Sequence, residues 1–289
     1  MSIGREFIGP YQLLRLIRGG STTQVWEAVR SGEKERIALK VVLQDYRNDR
    51  TEISQLKHEA AIGENMDHEN VIKIFGYHDA QGFPLISMQL FNARNLKIEM
   101  RERPEFMMPS MSQIIRRCTL GLAHMHEKGW IHCDVKPDNG LADEPANVKL
   151  IDFSIGVKKQ KTGGWASLFG GRPKTIRGTR SYMAPEQIRR KAVDERTDIY
   201  GLGCTIFELM SGKTPFTGNT PDDLLKKHLT ATIPSLESSS HCTKAFADMV
   251  KVMMAKKPDK RYQSMSEFLS VFEQTQMFRP GKRPEGFKK

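Results

Sequence analysis

The sequence predicts an α+β protein in two parts, a sheet-rich N-terminal part with one helix and a mainly helical C-terminal part. Two observations carry this prediction. Up to about residue 90, short apolar-rich runs are separated by glycine, serine and charged residues, a pattern typical of strands and turns. After about residue 95, the apolar residues recur at helical spacing instead. We therefore expect two lobes with a cleft between them and a hinge at residues 89–95.

The N-terminal part contains one predicted helix among five predicted strands. The helix covers residues 48–66, where apolar residues recur near helical spacing at Ile53, Leu56, Ala60 and Ile62. Each strand is a run rich in apolar residues that is bounded by turn residues. These runs are residues 11–17, 23–29, 36–42, 70–78 and 84–91.

The C-terminal part contains four predicted helices. The first, residues 111–129, carries one apolar stripe and ends at Gly129 as a C-cap. The second, residues 198–212, is apolar almost all round, which predicts a buried helix ended by Gly212. Two further amphipathic helices are predicted at residues 243–258 and 264–278.

Composition and charge narrow the class of protein. The chain has 289 residues, 38% of them hydrophobic, and 45 Lys and Arg against 34 Asp and Glu give a net charge of +11. This hydrophobic fraction is ordinary for a soluble protein that buries a core. The basic residues lie in small scattered clusters rather than in one long arm. We therefore interpret them as solvated faces and do not expect nucleic acid as a partner.

Cysteine spacing and hydropathy indicate the compartment. The four cysteines, at positions 118, 133, 204 and 242, show no C-x-x-C spacing, which suits a reducing compartment and argues against a zinc site. No apolar run of the sequence approaches about 20 residues, the length of a membrane span. The first 14 residues lack the apolar core of a signal peptide. We expect a cytoplasmic protein, or the cytoplasmic part of a longer membrane-anchored chain.

Two short motifs bring together polar side chains suited to phosphate chemistry. "HCDVKPDNG" contains Asp134, Lys136 and Asn139, and "LIDFSIG" contains Asp152 after a short apolar strand. Carboxylate and amide oxygens are ligands that Mg²⁺ prefers. A lysine beside them can neutralise a phosphate. Taken alone, "DVKPDN" could equally be a polar turn.

The ordered set of motifs resembles the protein-kinase signature, from about Tyr11 to about Phe272. The resemblance implies the bilobal protein-kinase fold, with an antiparallel N-lobe sheet plus one helix and a mainly helical C-lobe. The matching features are "IRGGSTTQV" (residues 17–25) as the glycine-rich loop, "IALK" (37–40), Glu59 nine residues before His68, "HCDVKPDN" (132–139), "DFS" (152–154), "GTRSYMAPE" (178–186), Asp198 at the start of the buried helix, and Arg261, which would pair with Glu186.

The same resemblance implies domain boundaries. A kinase domain would cover residues 11–277, with the N-lobe at about 11–88, the hinge at about 89–95 and the C-lobe at about 96–277. Residues 278–289 would form a basic, flexible tail. The run "GTRSYMAPEQI", in which Gln187 follows Glu186, is most similar to bacterial kinases of the eukaryotic type.

The resemblance also assigns catalytic roles. Asp134 would orient the substrate hydroxyl and accept its proton, while Lys136 would neutralise charge on the transferred phosphoryl group. Asn139 and Asp152 would hold the metal ions. Lys40 would contact the α and β phosphates and pair with Glu59. These roles fit phosphoryl transfer, which needs positioning and charge neutralisation more than covalent catalysis.

ATP with Mg²⁺ is the implied cofactor pair, with Mn²⁺ as an alternative metal. Gly19 and Gly20 would let the loop backbone approach the phosphates. Met88 would be the gatekeeper. Backbone groups of Gln89 and Phe91 would bond the purine edge, and the adenine would be sandwiched by Ile17, Val25, Ala38 and Leu141.

Protein serine and threonine hydroxyls are the implied substrates. The pattern D-x-K-x-x-N around Lys136 resembles Ser/Thr kinases, and Thr179 lies where those kinases keep a threonine that bonds the catalytic Asp and Lys. We expect autophosphorylation, with Thr175, Thr162 and Ser167 as candidates in falling order. The segment between Asp152 and Glu186, which includes the apolar residues Trp165, Leu168 and Phe169, is basic. Its charge would either favour acidic residues near the target site or form a solvated charge run.

The chain departs from the family pattern at four places. Of the three glycine positions in the loop, which hold Arg18, Gly20 and Thr23, only the middle one is kept, so we expect weaker ATP binding. Ser154 replaces the last glycine of D-F-G and narrows the conformations of that segment. Gly63, four residues after Glu59, would either loosen its helix or be covered by a neighbouring side chain.

The fourth departure is Cys133, which stands where the family often has an arginine that binds a phosphate on the activation segment. A cysteine cannot make charge-assisted bonds to phosphate. We therefore expect little dependence on that switch, and no loss of catalysis. A pseudokinase or nucleotide-binding scaffold is the alternative function, and a small-molecule kinase is a third.

Overall fold

The structure, a computed structural model, describes residues 7–144, 146–159, 178–237 and 242–280. Its contacts divide the chain into two compact units. The first unit comprises Met1–Asn92 together with Asp152–Ser154. The second unit comprises Ala93–Ile151 and Ile155–Lys289. The division between Asn92 and Ala93 lies inside the segment predicted as a hinge.

The first unit is a six-stranded antiparallel sheet with one long helix. Its strands are β1 (Phe7–Ile8), β2 (Tyr11–Gly19), β3 (Thr23–Arg30), β4 (Arg36–Val42), β5 (Ile74–Ala80) and β6 (Phe83–Gln89), in the order β1-β2-β3-β4-β6-β5. All five predicted strands are present. β1 was not predicted, because two residues are too few to show a period. The long helix, α1, covers Arg50–Gly63.

Local capping fixes where α1 begins. The side chain of Asp49 accepts hydrogen bonds from the backbone N–H groups of Thr51 and Glu52, which have no partner inside the helix. Among its buried residues are Leu56, Ala60 and Ile62, three of the four apolar positions that predicted the helix. On the sheet itself, a buried apolar cluster includes Tyr11, Leu13, Ala28, Leu39, Val41 and Leu85.

The second unit is mainly helical. Its helices are α2 (Leu96–Glu102), α3 (Pro104–Glu127), α4 (Pro185–Ile188), α5 (Glu195–Ser211), α6 (Pro221–Thr230), α7 (Lys244–Met253) and α8 (Met265–Glu273). Among the residues that the structure describes, five short strands accompany them: β7 (Arg94–Asn95), β8 (Trp130–Ile131), β9 (Gly140–Ala142), β10 (Val148–Leu150) and β11 (Val157–Lys158). They form a β10-β9-β7 sheet and a β11-β8 pair.

Helix α5 is buried in this second unit, as its sequence predicted. Fourteen of its residues are buried, from Thr197 to Met210. Asp194 caps its N-terminus by accepting from the Arg196 N–H. Gly212 ends it in the left-handed conformation, with φ of 74°, where a side chain would be strained.

The other predicted helices are present with shifted ends. Helix α3 begins at Pro104, seven residues before the predicted start, and α2, α4 and α6 were not predicted. Phe278 forms a β-bridge with Cys242, and Arg279 Nε donates to the Cys242 carbonyl at 3.0 Å, so these two residues of the predicted tail contact the second unit. Within the described ranges, no helix combines the length and apolarity that a membrane crossing requires.

Candidate active site

One face of the first unit's sheet collects several predicted nucleotide-binding residues. Val25 on β3 lies directly opposite Lys40 on β4, and Ala38 lies opposite Met88 on β6. Side chains two residues apart on a strand point to the same face, so all four share one face. Ala38 and Met88 are buried, whereas Ile17 on β2 is 42% exposed.

Lys40 is held in an ion pair on this face. Its Nζ lies 2.6 Å from Glu59 Oε2 on α1 and 3.5 Å from Asp152 Oδ1. Burial acts to lower the pKa of Lys40, but the charges of Glu59 and Asp152 outweigh it and hold that pKa above its usual value. Lys40 is therefore a fixed positive charge, and Glu59, which is 3% exposed, fixes its direction.

Asp152 has a backbone conformation that is rare for its residue type. Its φ is 67°, in the left-handed region, and the next residue, Phe153, is fully buried. Such a conformation persists only where the surroundings enforce it, and it is common at functional sites. In this conformation the Asp152 carboxylate lies near Lys40 Nζ. The carboxylate is also partly accessible, because 29% of the Asp152 side chain is exposed.

In the β2–β3 loop, Gly20 serves close packing rather than a left-handed turn. Neither Gly19 nor Gly20 is among the residues with positive φ. The Gly20 N–H donates to the Thr23 carbonyl at 2.9 Å, and a Cβ on Gly20 would lie 3.0 Å from that oxygen. A Cβ on Gly19 would meet nothing within 4 Å. Gly20 thus closes the hairpin, and Gly19 leaves the space beside it open.

The remaining predicted purine contacts are Gln89, Phe91 and Leu141. Gln89 ends β6 and Phe91 lies two residues later, and both are half-buried. The Gln89 N–H already donates to the Lys73 carbonyl at 2.8 Å. The backbone group of Gln89 that is left for the predicted purine contact is therefore the Gln89 carbonyl. Leu141 lies on β9 of the second unit.

In the second unit, the predicted catalytic residues converge on the Asp134 carboxylate. Lys136 Nζ lies 2.5 Å from Asp134 Oδ2, and the Thr179 N–H donates to Oδ1 at 2.8 Å. Lys136 Nζ also donates to Thr179 Oγ1 at 2.6 Å. Asn139 Nδ2 donates to Oδ2 at 3.2 Å. Four residues predicted from two separate motifs therefore form one hydrogen-bonded cluster.

Asn139 presents an oxygen suited to a hard cation. Its Nδ2 donates to the Asp134 backbone carbonyl at 3.0 Å and also to the Asp134 carboxylate. Because both of these groups are acceptors, the end of the amide that faces them must be the nitrogen. The Oδ1 at the other end is buried and has no hydrogen-bond partner within the described residues. A buried amide oxygen is expected to have a partner. A Mg²⁺ ion would satisfy it, because that ion takes oxygen ligands.

The backbone before Asp134 is clamped by Asp198 from α5. Asp198 Oδ2 accepts from the His132 N–H and Oδ1 from the Cys133 N–H, both at 2.8 Å. His126 Nε2 lies 2.8 Å from Oδ2. Asp198 is 1% exposed. The buried helix start that the motif predicted thus holds the loop before Asp134 through its main chain.

Cys133 has the strained backbone of the loop and an unreactive thiol. Its φ is 66°, again in the left-handed region. Burial, followed by the charge of Asp198, raises the thiol pKa well above its usual value. The thiol therefore stays protonated near neutral pH, and protonated thiols are poor nucleophiles. This supports a packing role for the side chain.

The pairing predicted between Glu186 and Arg261 is present and buried. Arg261 Nη1 and Nη2 donate to Glu186 Oε1 and Oε2 at 2.7 and 2.8 Å, a bidentate pair. Thr197 Oγ1 also donates to Oε1, at 2.8 Å. The pair fixes α4, whose next residue is Gln187. The side chain of Gln187 reaches the Cys133 carbonyl, a contact that sequence analysis missed.

A groove lies beside Thr179 in the second unit. Its volume is about 510 Å³, and its lining is Gly178–Ser181 together with Gly218–Pro221 and Leu224. Arg180 in this lining is exposed. The predicted phosphorylation candidates Thr162, Ser167 and Thr175, and the apolar residues Trp165, Leu168 and Phe169, lie outside the described residues.

Comparison with known proteins agrees with this arrangement. The sequence profile of the protein kinase domain family matches residues 11–271. Serine/threonine-protein kinase PrkC of Bacillus subtilis (strain 168) is 28% identical over 268 residues, covering 92% of this chain and 40% of that protein. Serine/threonine-protein kinase PknH of Mycobacterium tuberculosis (strain ATCC 25618 / H37Rv) is 30% identical over 266 residues, covering 92% of this chain and 41% of that protein.

A third relative has the same relation to the chain. The probable serine/threonine-protein kinase PknB of Bifidobacterium longum (strain NCC 2705) is 28% identical over 278 residues, covering 90% of this chain and 39% of that protein. The chain therefore spans about two fifths of the length of the curated relatives it matches.

Proposed function

Because the chain belongs to the protein kinase domain family, we propose that it is a serine/threonine protein kinase that transfers the γ-phosphate of ATP to protein hydroxyls. One observation carries the proposal, namely the cluster of Lys136, Thr179 and Asn139 around the Asp134 carboxylate. Drift in a module without catalysis would be expected to disturb such a set. The kinase names of the relatives support the same class of reaction.

Asp134 is the residue that receives the substrate hydroxyl. The Thr179 N–H fixes one carboxylate oxygen and the Lys136 ammonium fixes the other, so the carboxylate has a set direction. It orients the hydroxyl by accepting a hydrogen bond and takes its proton as the oxygen attacks phosphorus. The Lys136 ammonium then lies where it offsets negative charge on the transferred phosphoryl group.

Asn139 and Asp152 are the proposed metal ligands, for Mg²⁺ or alternatively Mn²⁺. The buried Oδ1 of Asn139 without a partner among the described residues supports this assignment. When bound, the metal neutralises charge on the nucleotide phosphates. Lys40, kept charged by Glu59, contacts the α and β phosphates.

The sheet face of Val25, Ala38 and Met88 is the proposed adenine surface. Ile17 and Leu141 complete the sandwich, and the Gln89 carbonyl and the backbone of Phe91 bond the purine edge. Gly20 keeps the β2–β3 hairpin tight above the phosphates, with Gly19 beside it.

Protein segments carrying serine or threonine are the proposed substrates, including this chain itself. The groove beside Thr179 is large enough for several side chains of a peptide. The exposed Arg180 in its lining supports a preference for acidic residues near the target. Since Cys133 cannot bind phosphate as an arginine would, we expect activity with little dependence on a phosphorylated activation segment.

The proposed place of action is the cytoplasm, either as this chain alone or as the cytoplasmic part of a longer membrane-anchored protein. None of the four cysteines, all of which lie within the described residues, forms a disulfide bond, and three of them are buried, as suits a reducing compartment. The greater length of the relatives is compatible with additional domains.

The deciding experiment measures the intact mass of the purified chain after incubation with ATP and Mg²⁺. Asp134→Asn removes the proposed proton acceptor, and Asp138→Asn, an aspartate outside the described cluster, is the matched control. We expect phosphate adducts on the native chain and the Asp138→Asn variant, and none on Asp134→Asn. Adducts that persist in Asp134→Asn would contradict the role of Asp134. If neither the native chain nor added serine and threonine peptides gain phosphate, that result would contradict kinase activity.

A further inference from the structure

We propose that Gln187 is a positioning residue for the catalytic loop, holding the peptide group between Cys133 and Asp134 in its active orientation. The proposal rests on the kinase function proposed above and adds a residue to its site. Gln187 Nε2 donates to the Cys133 carbonyl at 2.9 Å. The two residues lie 54 positions apart in the chain, so the bond joins the end of the activation segment to the loop.

Both ends of the Gln187 amide are in use, which fixes its orientation. While Nε2 donates to Cys133, Oε1 accepts from the Ala184 N–H at 2.9 Å. Reversing the amide would place oxygen against oxygen at Cys133 and NH₂ against N–H at Ala184. The side chain therefore has one favourable orientation, and it links the backbone of α4 to the loop.

Cys133 is the point of the loop that most needs such support. Its φ of 66° is unfavourable for a residue with a side chain, so the surrounding bonds must maintain it. Asp198 holds the Cys133 N–H at 2.8 Å, and Gln187 holds the Cys133 carbonyl. With both backbone groups fixed, the direction in which the chain enters Asp134 is fixed as well.

The base from which Gln187 acts is rigid. The neighbouring Glu186 makes the bidentate pair with Arg261, whose side chain is fully buried. The Gln187 backbone is therefore anchored one residue away, and the length of its side chain matches the gap to Cys133. This contact uses a neutral amide, so it holds the loop without any phosphate group.

The test uses the variant Gln187→Glu, in which an oxygen replaces the nitrogen that donates to the Cys133 carbonyl. The control is Arg189→Ala, a change at an exposed neighbouring residue. At pH 8 the ionised carboxylate would oppose the Cys133 carbonyl. We expect kcat for a serine peptide to fall roughly tenfold to a hundredfold, as for the loss of one buried hydrogen bond, with the KM for ATP little changed. Lowering the pH protonates the introduced carboxyl group and restores a donor, so the ratio of variant to native kcat should rise.

A merely structural role would give a different result. It would lower the melting temperature and leave the kcat ratio independent of pH, and that outcome would overturn the proposal. Unchanged kcat at pH 8 would overturn it equally. A second readout needs no activity: in Gln187→Ala, backbone amide exchange at residues 132–134 should increase relative to Arg189→Ala. If the native chain has no kinase activity, the proposed function fails, and this exchange measurement still decides whether Gln187 holds the loop.

Discussion

Ile74 on β5 fills the space beside Gly63 on α1. A Cβ on Gly63 would lie 2.6 Å from Ile74 Cγ1 and 2.9 Å from Ile74 Cβ, closer than real contacts allow. Ile74 is 2% exposed and cannot easily turn away. Of the two outcomes expected for Gly63, a looser helix or a covering neighbour, the structure has the second.

Gly63→Ala should therefore destabilise the protein, although alanine is the better helix former. In open space the change would stabilise by about 1 kcal/mol. Here overpacking against Ile74 should give a net loss of about 1–3 kcal/mol in the free energy of unfolding. Urea denaturation of the native chain and the variant measures this difference.

Two further variants separate packing from helix propensity. Ala61→Gly, at an exposed position of α1, should lose only the propensity difference, about 1 kcal/mol. Combining Gly63→Ala with Ile74→Ala should cost less than the sum of the two single changes, because the smaller side chain makes room for the new methyl group. Additive costs would show that the two residues do not compete for the same space.

The large elements were predictable because their apolar residues follow a clear period. Helix α5 was recognised as buried from its sequence, and its end from Gly212. Helix α6 was missed because it is only ten residues long, and of its side chains only His228 is fully buried. Helix α2 was missed because seven residues give only two turns, and one of its three buried residues is Glu99.

Some residues of the candidate site could likewise be predicted from the sequence, and others could not. Side chains such as Asp134 and Lys40 belong to motifs whose residue types are dictated by phosphate chemistry, so the sequence alone points to them. The role of Gln187 leaves no such trace, because its partner at Cys133 is a backbone carbonyl that every residue possesses. Likewise, Ile74 is an ordinary strand residue in sequence, and only the packing against Gly63 gives it a specific role.

The buried His228 should make stability depend on pH in the acidic range. It contacts the Tyr200 hydroxyl through Nδ1 at 2.8 Å and the edge of Phe216. Burial, and then the charge of Lys256, lower its pKa to about 4. As the pH falls from about 6.5 to 4, His228 becomes protonated in the unfolded chain but stays neutral in the folded chain. The free energy of unfolding should therefore decrease by about 3 kcal/mol over this range because of His228 alone.

Urea denaturation at several pH values checks this expectation. His228→Gln should unfold with a smaller pH dependence between pH 6.5 and 4 than the native chain, whatever its stability at pH 7. Lys256→Met, which removes the neighbouring charge, should give an intermediate slope. Equal slopes in the native chain and His228→Gln would mean that His228 is not held neutral.

Removing one partner of the buried Glu186–Arg261 pair should be strongly destabilising. Arg261→Met would leave the Glu186 carboxylate without its bidentate partner, and such a loss costs about 3–5 kcal/mol. Lys244→Ala, which breaks an exposed pair with Asp248 on α7, is the control and should change the urea midpoint little. An equally small effect of Arg261→Met would show that Glu186 finds other partners or becomes protonated.

The hydroxyl of Thr179 should matter to phosphoryl transfer because it fixes Lys136 beside Asp134. Thr179 Oγ1 accepts from Lys136 Nζ at 2.6 Å, while its N–H holds the carboxylate through the backbone alone. Thr179→Ala should therefore lower kcat about tenfold or more, the effect of losing one charge-assisted hydrogen bond. Thr179→Ser keeps the hydroxyl and should retain most of the activity. Peptide phosphorylation at saturating ATP measures both, and equal rates for the Ala and Ser variants would mean that Lys136 is positioned without this hydroxyl.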